Sequence, residues 1–325
     1  MEPQLFNERT DLTQLNAAVE QIRQSLGSII VGQKETIDFL IAGLLADGHI
    51  LLEGVPGVAK TLSAKLVARS IDASFSRIQF TPDLMPSDVL GTSVFDPKSA
   101  NFEYRKGPIF GHIILIDEIN RAPAKTQSAL FEVMEERQIT VDGTTYLLEE
   151  PFMVIATQNP IEQEGTYRLP EAQLDRFLFK IEIKYPSLEE ETQILMQQHQ
   201  RRLEDELQEV KPVLSLAQIM ACRKIIKALH VEPKLIEYVA AIVHETRNNK
   251  SLYLGASPRA SLAIINSAKA IAAMQGRDFV TPEDIIKVAT PVLTHRIMLT
   301  PDKEMEGLTS NDVIAQIIKK IEIPR

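Results

Sequence analysis

The chain has 325 residues and a mass of 36.4 kDa, and its 35 Lys and Arg against 44 Asp and Glu give a net charge of −9. This acidic balance argues against a dedicated nucleic-acid-binding protein, which usually has an excess of basic residues, and the single cysteine excludes a disulfide framework. No apolar run approaches the ~18 residues of a membrane-spanning helix, and the charged N-terminal segment lacks the apolar stretch of a signal peptide, so we expect a cytoplasmic protein.

Helix and strand patterns alternate through the first half of the chain. Apolar residues at steps of three and four predict four helices, over residues 12–26, 34–46, 59–70 and 125–137. Short apolar runs predict five strands, over residues 50–52, 76–80, 113–116, 152–155 and 180–184. Three of these runs are continuous, which is typical of strands that are covered on both faces. The alternation predicts an α/β fold with three layers around a parallel sheet.

Two segments interrupt the alternation before the pattern changes completely. Prolines and glycines punctuate an insertion at 81–110, whose short pieces could pair as a hairpin. Residues 138–150 contain a second hairpin around Asp142-Gly143, a turn in which both residues need a positive φ. After Pro186 the pattern becomes all-helical, so we expect one domain at residues 1–186 and a smaller helical domain at 187–325.

The string GVPGVAKT at residues 54–61 follows one predicted strand and opens a predicted helix. This is the context of a phosphate-binding loop, in which backbone N–H groups converge on an anion. Lys60 would reach the terminal phosphates of a nucleotide, and the Thr61 hydroxyl would be a ligand of Mg²⁺. Ala59 replaces the usual second glycine, and because alanine adopts positive φ only at a cost, we expect an ordinary helical φ there. The alternative is a strand–turn–helix that carries the Lys-Thr string by chance.

Two acids follow directly after the predicted strand at 113–116. A carboxylate at the C-terminal end of a buried parallel strand lies beside the phosphate loop in folds of this kind. Asp117 would hold Mg²⁺ directly or through water, and Glu118 would orient and polarise the attacking water. The alternative is that the two carboxylates cap the next helix.

Four strings of residues in this order resemble the AAA+ ATPases and, within them, the MoxR family. They are GVPGVAKT at 54–61, DEINRAP at 117–123, ATQNPIEQEGTY at 156–167 running into LPEAQLDRF at 169–177, and GASPRA at 255–260. The resemblance covers nearly the whole chain and implies a phosphate-loop AAA+ core followed by a helical lid domain. Ala59 looks like the MoxR form of the loop. Arg168 stands where proline is more frequent in the family, and we assign it no function.

The resemblance implies which residues contact the nucleotide. ATP or ADP would contact Gly54, Val55, Pro56, Gly57, Val58, Ala59, Lys60, Thr61 and Leu62, with Val31 and Gly32 receiving adenine through backbone groups. Asn159 looks like sensor 1, whose amide could hold the attacking water or the γ-phosphate. The alternative for Asn159 is an ordinary turn residue before a proline.

Two arginines complete the set of residues that the resemblance implies. Arg176 looks like the arginine finger that acts in trans on a neighbouring subunit's γ-phosphate; the alternative is an ion pair with Asp175 or Glu171. Arg259 looks like sensor 2. It lies in the first turn of a predicted helix, where a cation opposes the helix dipole and a phosphate would remove the conflict. The alternative for Arg259 is a surface arginine that reaches into solvent.

The family resemblance also implies an activity and partners. It implies Mg²⁺-dependent ATP hydrolysis by a homo-oligomer, a hexameric ring, acting as a chaperone-like motor in the maturation or assembly of protein complexes. The protein client would in some cases carry a von Willebrand factor A domain, and nucleic acid is not an expected partner. Two alternatives stay open: a DNA-remodelling AAA+ motor, and a nucleotide-switched scaffold with little turnover.

Overall fold

The computed structural model describes residues 10–160, 167, 169–200 and 210–324. Their internal packing divides them into two compact units. We call Ile22–Met220 the core unit, and the described residues before Ile22 and after Met220 the helical unit. The domain boundary that the sequence predicts near Pro186 stays a prediction. Arg168 and residues 161–166 lie outside the described residues.

The core unit contains the alternating part of the chain. Its elements in chain order are α1 (Thr13–Gly27), α2 (Lys34–Leu45), β1 (His49–Gly54), α3 (Lys60–Ser70), β2 (Phe75–Gln79), α4 (Pro86–Leu90), β3 (Gly91–Asp96), β4 (Asn101–Lys106), β5 (Ile113–Asp117), α5 (Ala124–Glu136), β6 (Gln138–Val141), β7 (Thr144–Leu147), β8 (Met153–Gln158), α6 (Glu171–Leu174), β9 (Phe177–Ile183), α7 (Leu188–Gln200) and α8 (Leu216–Ala228). The first and last of these helices, α1 and α8, are shared with the helical unit. Every predicted helix and strand of this part is confirmed, with ends that differ by a few residues.

A five-stranded parallel sheet forms the centre of the core unit, and its strand order is β2-β5-β8-β1-β9. The order places β8 between β1 and β5, with Ile155 level with Ile50 on one side and with Leu115 on the other. Because all five strands are parallel, their C-terminal ends lie at the same edge of the sheet.

Helices cover both faces of the sheet, as the continuous apolar runs predict. On one face, Leu51 and Val154 belong to a buried cluster that includes Phe131 of α5. On the other face, Gly43 of α2 lies so close to Ile50 that a Cβ added to it would be 2.6 Å from the Ile50 Cδ1 atom. The predicted three-layer α/β architecture is therefore confirmed.

The two interruptions are both hairpins, and they lie against each other. β3 pairs with β4 and β6 pairs with β7, each antiparallel. Asp142 and Gly143 both have positive φ, at 50° and 78°, as the turn between β6 and β7 requires. The rings of Tyr104 and Tyr146 contact each other with 4.5 Å between centroids and an angle of 32° between their planes, which joins the hairpins.

The helical unit contains most of the C-terminal part of the chain. Its further elements are α9 (Pro233–Asn248), β10 (Leu252–Leu254), α10 (Pro258–Met274), α11 (Pro282–Leu293), β11 (Met298–Leu299), α12 (Pro301–Met305) and α13 (Ser310–Lys320). The predicted helical character is confirmed, with one small antiparallel pair, β10 and β11, that the sequence does not reveal. Across the described part of the chain, no helix is both long enough and apolar enough to cross a bilayer.

Candidate functional site

The predicted catalytic groups of the core unit meet at one edge of its sheet. The loop 54–61 leaves the end of β1, Asp117 ends β5, and Asn159 follows the end of β8. Since β8 lies between the other two strands, Asn159 stands between the loop and the acids. Asn159 is 7% exposed, as is Asp117, so both polar groups lie in the protein interior at this edge.

The loop itself has the backbone of an anion-binding turn. Gly57 has a φ of 87°, and a Cβ added there would meet no atom within 4 Å. Gly54 is needed for a different reason, because a Cβ there would lie 2.7 Å from the carbonyl oxygen of Ile183 on β9. The loop combines left-handed and right-handed backbone conformations just before a helix N-terminus. Such a loop points its backbone N–H groups at a single position, which favours the binding of phosphate.

Our expectation for Ala59 is wrong. Its φ of 59° and ψ of 19° are left-handed, and α3 begins only at Lys60. The left-handed region costs a residue with a Cβ roughly 1–2 kcal/mol, and such strain persists only where the surroundings impose it. Here the Ala59 carbonyl accepts hydrogen bonds from the Ser63 backbone N–H at 2.9 Å and from the Ser63 hydroxyl at 3.0 Å, which fixes the peptide in this orientation.

Lys60 and Gln33 hold the loop from two sides. The Lys60 ammonium donates to the Gly54 carbonyl at 2.6 Å, so its charge lies over the loop. The Gln33 side-chain amide donates to the Val58 carbonyl at 3.0 Å. The Gln33 Oε1 atom is buried and, among the described residues, has no hydrogen-bond partner. A buried unsatisfied acceptor costs roughly 1–3 kcal/mol, so this position suits a ligand that brings N–H or O–H donors.

Asp117 is held by two residues that our sequence reasoning missed. Its Oδ2 atom accepts from the Arg77 Nε at 2.7 Å, and its Oδ1 atom accepts from the Thr157 hydroxyl at 3.3 Å. Arg77 lies on β2 and Thr157 on β8, the two strands that flank β5. The only signal in the sequence is the polar alternation of Arg77 and Gln79 on an edge strand.

Glu118 has a separate set of partners. Its Oε2 atom lies 3.1 Å from the Gln79 side-chain amide, which donates to it, and 2.9 Å from the Arg121 Nε. Its backbone is left-handed, with a φ of 56°, and its N–H donates to the Thr157 hydroxyl at 3.0 Å. Thr157 therefore contacts both acids. A single turn of 3-10 helix, Ile119–Arg121, follows the acids, and the Glu118 side chain makes no capping hydrogen bond to it.

The two predicted arginines lie in different units. Arg176 is in the core unit, where its guanidinium donates to the Phe131 carbonyl and its Nε lies 3.8 Å from Glu135, both on α5. Arg259 is in the helical unit, in the first turn of α10, where its backbone N–H donates to the hydroxyl of the helix cap Ser257 at 3.2 Å. Its side chain is exposed. The approach of either arginine to a phosphate stays a prediction.

A cavity of about 710 Å³ opens beside the loop, within the core unit. Of the predicted nucleotide-contacting residues, Val31, Gly32 and 57–62 line it, whereas Gly54, Val55 and Pro56 do not. Its other walls include Glu190, Ile194 and Tyr185. The loop and Lys60 provide backbone donors and a positive charge, and the rest of the lining combines apolar side chains such as Ile30 and Ile194 with charged ones such as Glu182 and Lys184. That arrangement suits a molecule with an anionic tail and a flat apolar ring.

Comparison with known proteins gives consistent results over both parts of the chain. Residues 49–179 match the family described as "ATPase family associated with various cellular activities (AAA)", and residues 244–317 match the family described as "AAA lid domain". The chain is 46% identical over 310 residues to the uncharacterized protein YeaC of Bacillus subtilis, with 95% of each chain covered. It is 45% identical over 306 residues to Chaperone MoxR1 of Mycobacterium tuberculosis, which covers 91% of this chain and 80% of the relative.

A solved structure shows the same fold. The crystal structure of a Cytophaga hutchinsonii protein assigned as an ATPase superposes with a TM-score of 0.88 at 42% identity, and covers 96% of this chain and 97% of that one. At this identity the likeness extends beyond the fold alone.

Proposed function

Because the chain belongs to the MoxR family of AAA+ ATPases, we propose that it hydrolyses ATP to ADP and phosphate, with Mg²⁺. The adenine ring would bind in the cavity beside the loop 54–61, and the γ-phosphate would face Asp117, Glu118 and Asn159, which do not line that cavity. The observation that carries this proposal is the meeting of the loop, the two acids and Asn159 at one edge of the sheet. The left-handed Ala59 and the buried unsatisfied Gln33 Oε1 support it, because both suit a bound nucleotide.

The phosphates and the metal ion would share a small number of protein groups. The loop amides and Lys60 would bind the phosphate oxygens. Thr61 and Asp117 would hold Mg²⁺, which supplies positive charge to the β- and γ-phosphates when it is bound. Among the described residues, no three His, Cys, Asp or Glu side chains are grouped as metal ligands. The ion would therefore need phosphate oxygens and water to complete its six ligands.

Glu118 would act as the general base. It would accept a proton from the attacking water as the water oxygen bonds to the γ-phosphorus and the bond to the β–γ bridging oxygen breaks. Asn159, between the loop and the acids, would hold that water or the γ-phosphate. Gln79 and Arg121 both contact the Oε2 atom of Glu118, so the Oε1 atom would accept the proton of the water.

Turnover would depend on a neighbouring subunit and on the lid domain. Arg176 of one subunit would stabilise the charge that develops on its neighbour's γ-phosphate, which requires a homo-oligomer, in our proposal a hexameric ring. Arg259 would reach the phosphates as the lid domain moves with nucleotide state. We propose that the ring is a cytoplasmic, chaperone-like motor that acts on a protein client, including clients with a von Willebrand factor A domain. The name of the Mycobacterium tuberculosis relative, a chaperone, supports this role.

The test compares Glu118→Gln with Glu103→Gln, a matched loss of one carboxylate at an exposed position on β4. ATP binding by equilibrium dialysis should be unchanged in both variants. Steady-state phosphate release should fall roughly 10²- to 10⁴-fold in Glu118→Gln only. Hydrolysis by Glu118→Gln at the parent rate would remove the general-base assignment, and a parent that binds ATP without turnover would favour the scaffold. Stimulation of turnover by DNA that is lost as salt rises would favour the DNA motor.

A further inference from the structure

Several ionisable side chains line the cavity, and one of them, Glu190, has an unusual position. Glu190 lies in the first turn of α7 and lines the cavity together with Gly32. Its carboxylate lies directly against the Gly32 backbone, so that a Cβ added to Gly32 would overlap it, and Gly32 has a φ of 78°. Both features require glycine at position 32. The segment that the family resemblance assigns to adenine is thus shaped to bring a carboxylate against it.

The two oxygens of this carboxylate are not equivalent. The Oε2 atom accepts the Ser187 backbone N–H at 2.8 Å, and the Ser187 hydroxyl accepts the Glu190 N–H at 3.3 Å. This reciprocal pair is a capping box, and it fixes the side chain. The Oε1 atom makes no hydrogen bond with any described residue, and a Cβ added to Gly32 would lie 2.4 Å from it. Oε1 is therefore the less engaged oxygen of a carboxylate that the cap holds in place.

We propose that Glu190 is a specificity-determining residue, whose Oε1 atom accepts a hydrogen bond from the exocyclic 6-amino group of adenine. This inference rests on the proposed function, since it places the phosphates at the loop and the adenine ring beside Gly32 and Glu190. Ile30 and Val31 are largely buried and line the cavity next to Gly32. Ile194 follows Glu190 by one turn on α7 and lines the same cavity. These three side chains provide apolar surface for the faces of the adenine ring, while Glu190 contacts its amino group.

A carboxylate oxygen opposite position 6 of a purine suits adenine better than guanine. Adenine has an amino group there, which donates a hydrogen bond to the carboxylate. Guanine carries an oxygen at position 6, which a carboxylate oxygen would repel. The arrangement therefore selects a purine with one donor at position 6.

The test measures dissociation constants of diphosphates, so that hydrolysis has no influence. Three nucleotides are each made to compete with a fluorescent ADP for the parent protein: ADP, GDP and purine riboside diphosphate. Purine riboside diphosphate differs from ADP only by the loss of the 6-amino group. We expect purine riboside diphosphate to bind roughly tenfold to a hundredfold more weakly than ADP, as expected for the loss of a hydrogen bond to a charged group. Equal binding of these two, or tighter binding of GDP, would overturn the inference without any variant.

Two matched variants separate the role of Glu190 in adenine recognition from its role in capping α7. In Glu190→Gln the amide oxygen can still accept the Ser187 N–H and keep the cap. The amide N–H₂ group, a donor, then takes the place of Oε1. The advantage of ADP over purine riboside diphosphate should then disappear. Ser187→Ala weakens the cap, leaves the carboxylate, and should keep that advantage. A Glu190→Gln protein that keeps the parent's advantage would overturn the inference while the ATPase proposal stands. A parent that binds none of the three nucleotides would overturn both.

Discussion

Arg77 and Asp117 form an ion pair between neighbouring strands, with the Arg77 Nε atom 2.7 Å from the Asp117 Oδ2 atom. The arginine side chain is 51% exposed and the carboxylate 10% exposed, so solvent screens only one partner well. Asp117 is the proposed magnesium residue, and a guanidinium already occupies one of its two oxygens. A metal ion bound there would share the carboxylate with Arg77 or displace it.

We therefore expect Arg77→Gln to lower the Mg²⁺ concentration that gives half-maximal ATP hydrolysis. Because Arg77 is half exposed, the change should be modest, roughly two- to fivefold, in line with the strength of exposed ion pairs. Arg105→Gln, which removes an exposed arginine from β4, is the control and should leave the magnesium requirement unchanged. A higher magnesium requirement in Arg77→Gln would mean that Arg77 orients Asp117 for the metal and does not compete with it.

The left-handed Ala59 predicts a stabilising substitution. Ala59→Gly should raise the free energy of unfolding by about 0.5–1 kcal/mol, because glycine adopts positive φ without a steric cost although it loses more entropy on folding. Urea unfolding followed by circular dichroism measures the change. Lys65→Gly, at an exposed interior position of α3, should lower stability by about 1 kcal/mol. A loss of stability in Ala59→Gly as well would mean that the loop imposes no strain on Ala59.

Arg176 offers a test of hydrolysis between subunits. Arg176→Ala should retain ATP binding and lose roughly 10³-fold or more in turnover, as arginine fingers of other nucleotide hydrolases do. Mixing inactive Arg176→Ala with inactive Glu118→Gln should restore phosphate release, because one subunit then supplies the intact base and its neighbour the intact arginine. If the arginine acted within its own subunit, the mixture would stay inactive. Glu135→Gln removes the partner of Arg176 on α5 and should keep turnover.

Cys222 is the only cysteine of the sequence and reports on the packing of α8. It is 8% exposed, and burial raises the pKa of its thiol above the ordinary value. A raised thiol pKa means less thiolate at neutral pH, so we expect slow alkylation by iodoacetamide in the native protein and rapid alkylation in urea. Mass spectrometry measures both rates. Equal rates in the two conditions would place the thiol at the surface.

The sequence predicts the elements of the core unit well because their signals are local. The continuous apolar runs at 113–116 and 152–155 predict strands that are buried on both faces, and the structure shows buried strands there. The place of β8 between β1 and β5 is not predictable in this way, because the pairing joins segments distant in sequence. The position of Asn159 between the loop and the acids follows from that order alone.

The misses at the site have the same origin. Arg77 and Gln79 lie two residues apart on one side of β2, but their acidic partners are known only once β2 is paired with β5. The capping box of Ser187 and Glu190 is readable in the sequence, whereas the contact of Glu190 with Gly32 is not. At Ala59 a local preference for negative φ is overridden by the hydrogen bonds that shape the loop.

The strand order also bears on how the protein is synthesised. Both neighbours of β1 in the sheet, β8 and β9, are translated long after it, so the strand that carries the phosphate loop leaves the ribosome with two unpaired edges. Unpaired apolar edges invite association with other chains. A nascent chain halted before Met153 would hold β1 without a partner, and nucleotide could begin to assist folding only after β9 has emerged.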